Sequence, residues 1–193
     1  MSDVPQVLTL AQLNTLPARD AEPLLESCCG SRAWVSRMLA RRPFEDIAAL
    51  LDAAEETWWS LRAEDWRDAF AHHPRIGEQP AATSQDDRAR GWSAAEQRGV
   101  ADAGDETRAA IADGNREYER RFGHIYLVSA AGKSAPELLA ILRSRLANDP
   151  DTELRVAAGE QAKITRLRLL KVLGASEPRA AATRAPHPAP RVP

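Results

Sequence analysis

The chain has 193 residues, enough for one domain with a substantial core. It carries a formal charge of −2 and a pI near 6.1, so no basic excess is available to neutralise nucleic-acid phosphates. No apolar run approaches the length that crosses a membrane. Met1-Ser2-Asp3-Val4-Pro5 lacks the basic and apolar regions of a signal peptide, and Arg191-Val192-Pro193 is no peroxisomal address. A cytoplasmic location is therefore the expectation.

Helical periodicity dominates the chain and strand alternation is almost absent. Thr9 to Leu16 predicts a short first helix, with Leu10, Leu13 and Leu16 on one side. Asp20 is a candidate cap for a second, running to Cys28. Ser31 opens a third, with Trp34, Met38 and Leu39 facing inward, and Pro43 closes it. From Phe44 to Leu61, the residues Ile47, Leu50, Leu51, Ala54 and Trp58 mark a longer amphipathic helix. Ala63 to His72 follows. Residues 77–91 are polar and hold Pro80, which predicts a mobile loop. Ser93 then opens a helix to Ala103, and Asp105 opens one to Arg121. Phe122 to Ala130 is the one apolar, β-branched run, expected to be extended and buried. Ser134 starts a helix to Asn148. Asp151 or Thr152 starts the last, which ends at Leu173-Gly174 with the glycine as C-cap. From Ala175 onward Ala, Pro and Arg take over, with five of the thirteen prolines, so residues 175–193 are expected to be a disordered tail. The fold class is thus all-α: a compact domain of about eight helices over residues 1–174, then the tail.

His73-Pro74-Arg75-Ile76-Gly77 carries the most chemistry. A proline disfavours the α region for the residue before it, so the helix ends and His73 sits on irregular backbone. Its imidazole is a natural proton donor or acceptor. His72 is the rival, a helix-end surface residue. Ser93-Ala94-Ala95-Glu96-Gln97 reads in two ways. Ser93-x-x-Glu96 is a capping box, which makes Glu96 structural. Alternatively the free N–H groups of that helix start, with Gln97, hold a ureido or amide ligand while Glu96 accepts its N–H donors. On the last helix Arg166 and Arg168 are candidate carboxylate anchors, with Arg168 flanking the apolar stripe; a solvated surface charge is the plainer reading. Gly132-Lys133-Ser134 is no phosphate loop, because Leu127 occupies the position of the first glycine; a turn and a capping box with Glu137 explain it. Cys28 and Cys29 are reduced, packed thiols with no base placed beside either. No pair of histidines has ligand spacing, so no metal site is expected. The five tryptophans are read as core.

Taken together, the motifs resemble the 2-oxo-4-hydroxy-4-carboxy-5-ureidoimidazoline (OHCU) decarboxylase family of urate degradation. The resemblance spans residues 8–174. It is carried by Cys28-Cys29-Gly30-Ser31 with Trp34, Arg42-Pro43-Phe44, His73 to Glu78, Ser93 to Gln97, and Asn115 with Tyr118. Arg121 to Tyr126, Gly132-Lys133-Ser134, Asn148-Asp149, Lys163-Ile164 and Leu167-Arg168-Leu169 complete it. The resemblance implies an all-α homodimer that needs no cofactor and converts OHCU to (S)-allantoin and carbon dioxide. It implies that His73 is catalytic and that Glu96 assists. It further implies substrate contacts from Pro74, Ser93, Ala94, Ala95, Glu96 and Gln97, from Tyr126, Leu127, Val128, Ser129 and Ala130, and from Arg168. The residue pattern by itself leaves open a non-catalytic helical module that binds a purine-derived ligand.

Overall fold

The computed structural model describes residues 7–77, 87–96 and 103–178. Among them are nine α-helices and no β-strand. These are α1 (Leu10–Thr15), α2 (Ala18–Cys28), α3 (Arg32–Ala40), α4 (Ile47–Trp59) and α5 (Ala63–Ala71). They continue with α6 (Asp87–Glu96), α7 (Asp105–Phe122), α8 (Ala135–Arg145) and α9 (Pro150–Val172).

Several helix starts differ from expectation, and local chemistry explains each. Pro17, not Asp20, precedes α2, and Asp20 lies in its first turn. α4 begins at Ile47 because the Asp46 side chain accepts from Ala49 N–H at 2.7 Å. Phe44 is held outside the helix by Asn14, which exchanges hydrogen bonds with its backbone N–H (2.9 Å) and carbonyl (2.8 Å). α9 starts earlier than expected, with Asp149 accepting from Thr152 N–H and Pro150 in the first turn, where a missing N–H costs nothing. Ser31 caps α3 and Ser134 forms the expected capping box with Glu137.

The largest departure is α6. It begins at Asp87, so Ser93 lies inside a helix and does not cap one. The isolated Gly91 costs only about 1 kcal/mol of helix propensity. Tertiary contacts outweigh that: Ala89 is buried, the Trp92 ring packs on the core between Arg88 and Lys171, and Arg168 bonds Ser93. Residues 87–91 of the expected loop are therefore helical; the rest of it, 78–86, lies outside the described residues. Beyond α9, Ala175 N–H donates to the Leu170 carbonyl and Glu177 pairs with Arg166 at 2.7 Å. Residues 179–193 lie outside the described residues.

Two apolar clusters share the interior. The larger joins α1–α5 to α9 through Leu13, Leu25, Trp34, Met38, Leu50, Trp58 and Phe70. Trp34 and Trp58 are fully buried and donate their indole N–H to the Ala54 and Ala158 carbonyls; Trp59, Trp66 and Trp92 are half-buried against the same core. The smaller cluster packs α7 on α8 with Ile76, Tyr118, Tyr126 and Val128. α9, about 35 Å long at 1.5 Å per residue, buries its apolar side in the larger cluster and also touches α7. Residues 126–130 are buried, non-helical chain after Gly123, which ends α7 in the left-handed region (φ 72°).

Candidate active site

α5 ends where Pro74 requires it. His72 is the C-cap, and His73 N–H still reaches the Phe70 carbonyl at 3.0 Å before the chain turns away. The turn is fixed from three sides. The His72 ring donates from Nδ1 to the Asp68 carbonyl (2.8 Å) and lies directly over Gly30. Asn115 on α7 donates to the Ile76 carbonyl at 2.9 Å. Arg75 makes a two-pronged pair with Glu119, at 2.5 and 3.0 Å.

His73 then lines a small open cleft together with Pro74, Ile76, Ser93, Tyr126, Leu127, Val128, Ala130 and Ile164. Four segments distant in sequence meet here. The His73 ring is half-buried. Burial, the nearby Arg168 guanidinium and the neighbouring His72 push its pKa down to about 3, against an opposing pull from the Gln161 side chain. The imidazole is therefore neutral at physiological pH, a proton acceptor with one N–H to donate.

Arg168 and Arg166 separate cleanly. Arg168 is 2% exposed; its Nη1 donates to the Ser27 carbonyl at 3.1 Å and its Nη2 to Ser93 Oγ at 3.0 Å. Arg166 points outward and pairs with Glu177. The Arg168 charge thus lies behind the cleft wall, tying α9 to the end of α2 and to Ser93.

The other expected residues are placed unevenly. Ala94 and Ala95 face out from α6. Glu96 is the last residue of α6, with its side chain outside the described residues, as is Gln97 altogether. Ser129 is buried but is not among the cleft-lining residues; its N–H donates to Glu160 Oε2 at 2.7 Å and its carbonyl accepts from Lys133 at 2.6 Å. Cys28 and Cys29 are fully buried, and desolvation pushes both thiols up to about 12, which leaves them unreactive packing residues. Among the described residues no group of three or more His, Cys, Asp or Glu could hold a metal.

Sequence patterning passed over two features. Gln161 is fully buried on α9, seven residues before Arg168, and faces His73. The available signal was a polar amide inside the apolar stripe of that helix. The second is a buried ionic network beneath the cleft: Arg145 pairs with Glu153 (2.5 Å) and donates to the Leu127 carbonyl (2.7 Å). Tyr118 and Asn148 complete the shell around Glu153.

Comparison with known proteins bears on the family and the fold. Residues 14–170 match the family described as OHCU decarboxylase. The Arabidopsis thaliana uric acid degradation bifunctional protein TTL is 32% identical over 75% of this chain, which covers 45% of that protein. The Mus musculus 2-oxo-4-hydroxy-4-carboxy-5-ureidoimidazoline decarboxylase is 39% identical over a shorter stretch, 32% of this chain and 34% of its own. This chain thus spans less than half the length of the curated relatives it matches. A crystal structure of OHCU decarboxylase in the presence of (S)-allantoin superposes with a TM-score of 0.68 at 29% identity, covering 79% of this chain and 98% of that one. Since the family match takes in every helix from α2 to α8 and nearly all of α9, the cleft included, this chain belongs to the OHCU decarboxylase family.

Proposed function

We propose that the chain decarboxylates OHCU to (S)-allantoin and carbon dioxide, with His73 as the proton-handling group. What supports this most is the neutral imidazole of His73, opening on a cleft backed by the Arg168 charge. The substrate carries its own electron sink. When the carbon–carbon bond to the carboxylate breaks, the freed pair forms a carbon–carbon double bond and the imidazoline C=N pair moves to nitrogen, which takes a proton from solvent. That step needs no metal or organic cofactor. His73 takes the proton of the substrate hydroxyl and returns one to the ureido-bearing carbon as the ring carbonyl forms. Delivery from one wall of a chiral cleft makes a single enantiomer.

Arg168 serves by its field and by orienting Ser93, since two of its N–H groups are already committed to protein oxygens. A cation clamped directly on the departing carboxylate would stabilise the ground state and slow its loss. Glu96 is assigned to orienting the imidazole or ureido group, and Gln97, Ala94 and Ala95 to substrate contact where α6 ends. Pro74, Tyr126, Leu127, Val128 and Ala130 shape the walls, and the backbone at Ser129 extends them. Residues 1–174 constitute the catalytic unit and 175–193 a tail. A homodimer, as the family resemblance implies, is the assembly to test by sedimentation, and the location proposed from the terminal sequences is the cytoplasm.

The experiment generates OHCU in place from urate with urate oxidase and hydroxyisourate hydrolase, and follows allantoin by circular dichroism. Rapid formation of (S)-allantoin is expected. Racemic product at the rate without protein would sink the assignment. His73→Asn is expected to keep the fold and lose about 10²–10⁴ in turnover; full activity in that variant would remove His73 from the chemistry.

A further inference from the structure

Gln161 is a fully buried amide in the middle of α9, at a place where Leu or Met would continue the apolar stripe. Its Nε2 donates to Thr165 Oγ1 at 3.1 Å. Its Oε1 is buried and accepts no hydrogen bond from the described residues. An unmatched buried acceptor is costly, and native structures hold few of them. The polar group that this carboxamide faces is the His73 imidazole.

A neutral imidazole has one N–H and one lone pair, and the partner of one nitrogen decides the role of the other. Three described side chains bear electrically on the ring: Arg168, His72 and Gln161. Arg168 has donors only and cannot accept an N–H. His72 Nδ1 is engaged with the Asp68 carbonyl. Gln161 alone of the three brings an uncommitted acceptor. We propose that Gln161 is a positioning residue for His73: its carboxamide oxygen accepts the imidazole N–H, so the ring is held in one tautomer with its lone pair turned to the cleft. The contact is open in geometry here, and such contacts often close only in the substrate complex. Once His73 has taken the substrate proton, the same oxygen goes on accepting from the cation. The proposal rests on His73 being the acid–base group.

Two-bond ¹H–¹⁵N spectra of protein labelled at its four histidines read the tautomer directly, with His73 assigned through His73→Asn. In the unaltered chain His73 is expected as one tautomer. Gln161→Leu, or Gln161→Met if leucine prevents folding, should mix the tautomers and lower kcat about tenfold or more with KM little changed. Gln161→Glu, which keeps an acceptor, should retain the single tautomer. Unaltered His73 shifts in the acceptor-less variants, or mixed tautomers with full kcat, would overturn the proposal. A fully active His73→Asn would overturn the site reading beneath it, and the tautomer spectra distinguish that failure from the first.

Discussion

At the scale of single residues, what matters at His73 is which of its two protonation states the fold selects. Burial and the Arg168 charge favour the neutral ring, with a pKa of about 3 against roughly 6.5 for an unperturbed histidine. The sign follows. Between those values the unfolded chain binds a proton that the folded chain refuses, so this contribution to stability is complete above about pH 6.5 and is lost as pH falls toward 3. For catalysis, the free enzyme keeps its base down to low pH. The acid limb of kcat/KM, which reports the free enzyme, is expected well below pH 6. A limb centred at 6.5 would mean that the ring is solvated and that Arg168 does not act on it. Proline at position 74 made the irregular backbone of His73 legible from sequence. Its neutrality was not legible, because the groups responsible come from a helix some ninety residues away.

Among the helices, the precision of the site comes from how the end of α5 is seated. Gly30, between α2 and α3, has no Cβ. One placed there would stand 2.5 Å from His72 Cγ and 2.6 Å from His72 Cβ, too near the backbone to be relieved by a rotamer change. Gly30→Ala therefore pushes the whole 72–77 turn. It is expected to destabilise the fold by about 1–3 kcal/mol and to lower kcat although residue 30 is not in the cleft. Thermal unfolding and steady-state rates check this; an unchanged kcat would show that the turn moves independently of α2. The same lesson runs through α6. Local pattern read Ser93 as a helix start, because Gly91 and the polar run before it are ordinary loop signals. Its actual place, mid-helix, is decided by Trp92 and Arg168 contacts that no local window contains.

For the molecule as a whole, the two apolar clusters are stitched together by Arg145 on α8 and Glu153 on α9. The pair is almost fully enclosed, and Arg145 also stacks near the Tyr118 and Tyr126 rings. Because Arg145 holds the Leu127 carbonyl, it positions the extended wall of the cleft from beneath. Arg145→Met strands the Glu153 carboxylate in the interior and is expected to cost about 3–5 kcal/mol. The double variant Arg145→Met, Glu153→Met should recover much of that loss, as measured by chemical denaturation. A double variant no more stable than Arg145→Met would mean that the network stabilises through its hydrogen bonds to Tyr118, Leu127 and Asn148 and not through charge pairing.

Sequence by itself determined the all-α class, the order of the helices, the Ser134–Glu137 capping box, the packed cysteines and the position of His73. Each of these is set by periodicity, by caps or by a proline acting within a few residues. The motifs also sufficed to place the chain in its family. Tertiary structure alone decided that α6 begins before Ser93, that Arg168 and not Arg166 turns inward, and that Gln161 faces His73. Those outcomes depend on pairs such as Ser27 with Arg168, or Ser93 with Arg168, which are close only after α2, α6 and α9 have packed. Burial energies and pKa shifts are properties of that packing, and so they are written in no single stretch of the chain.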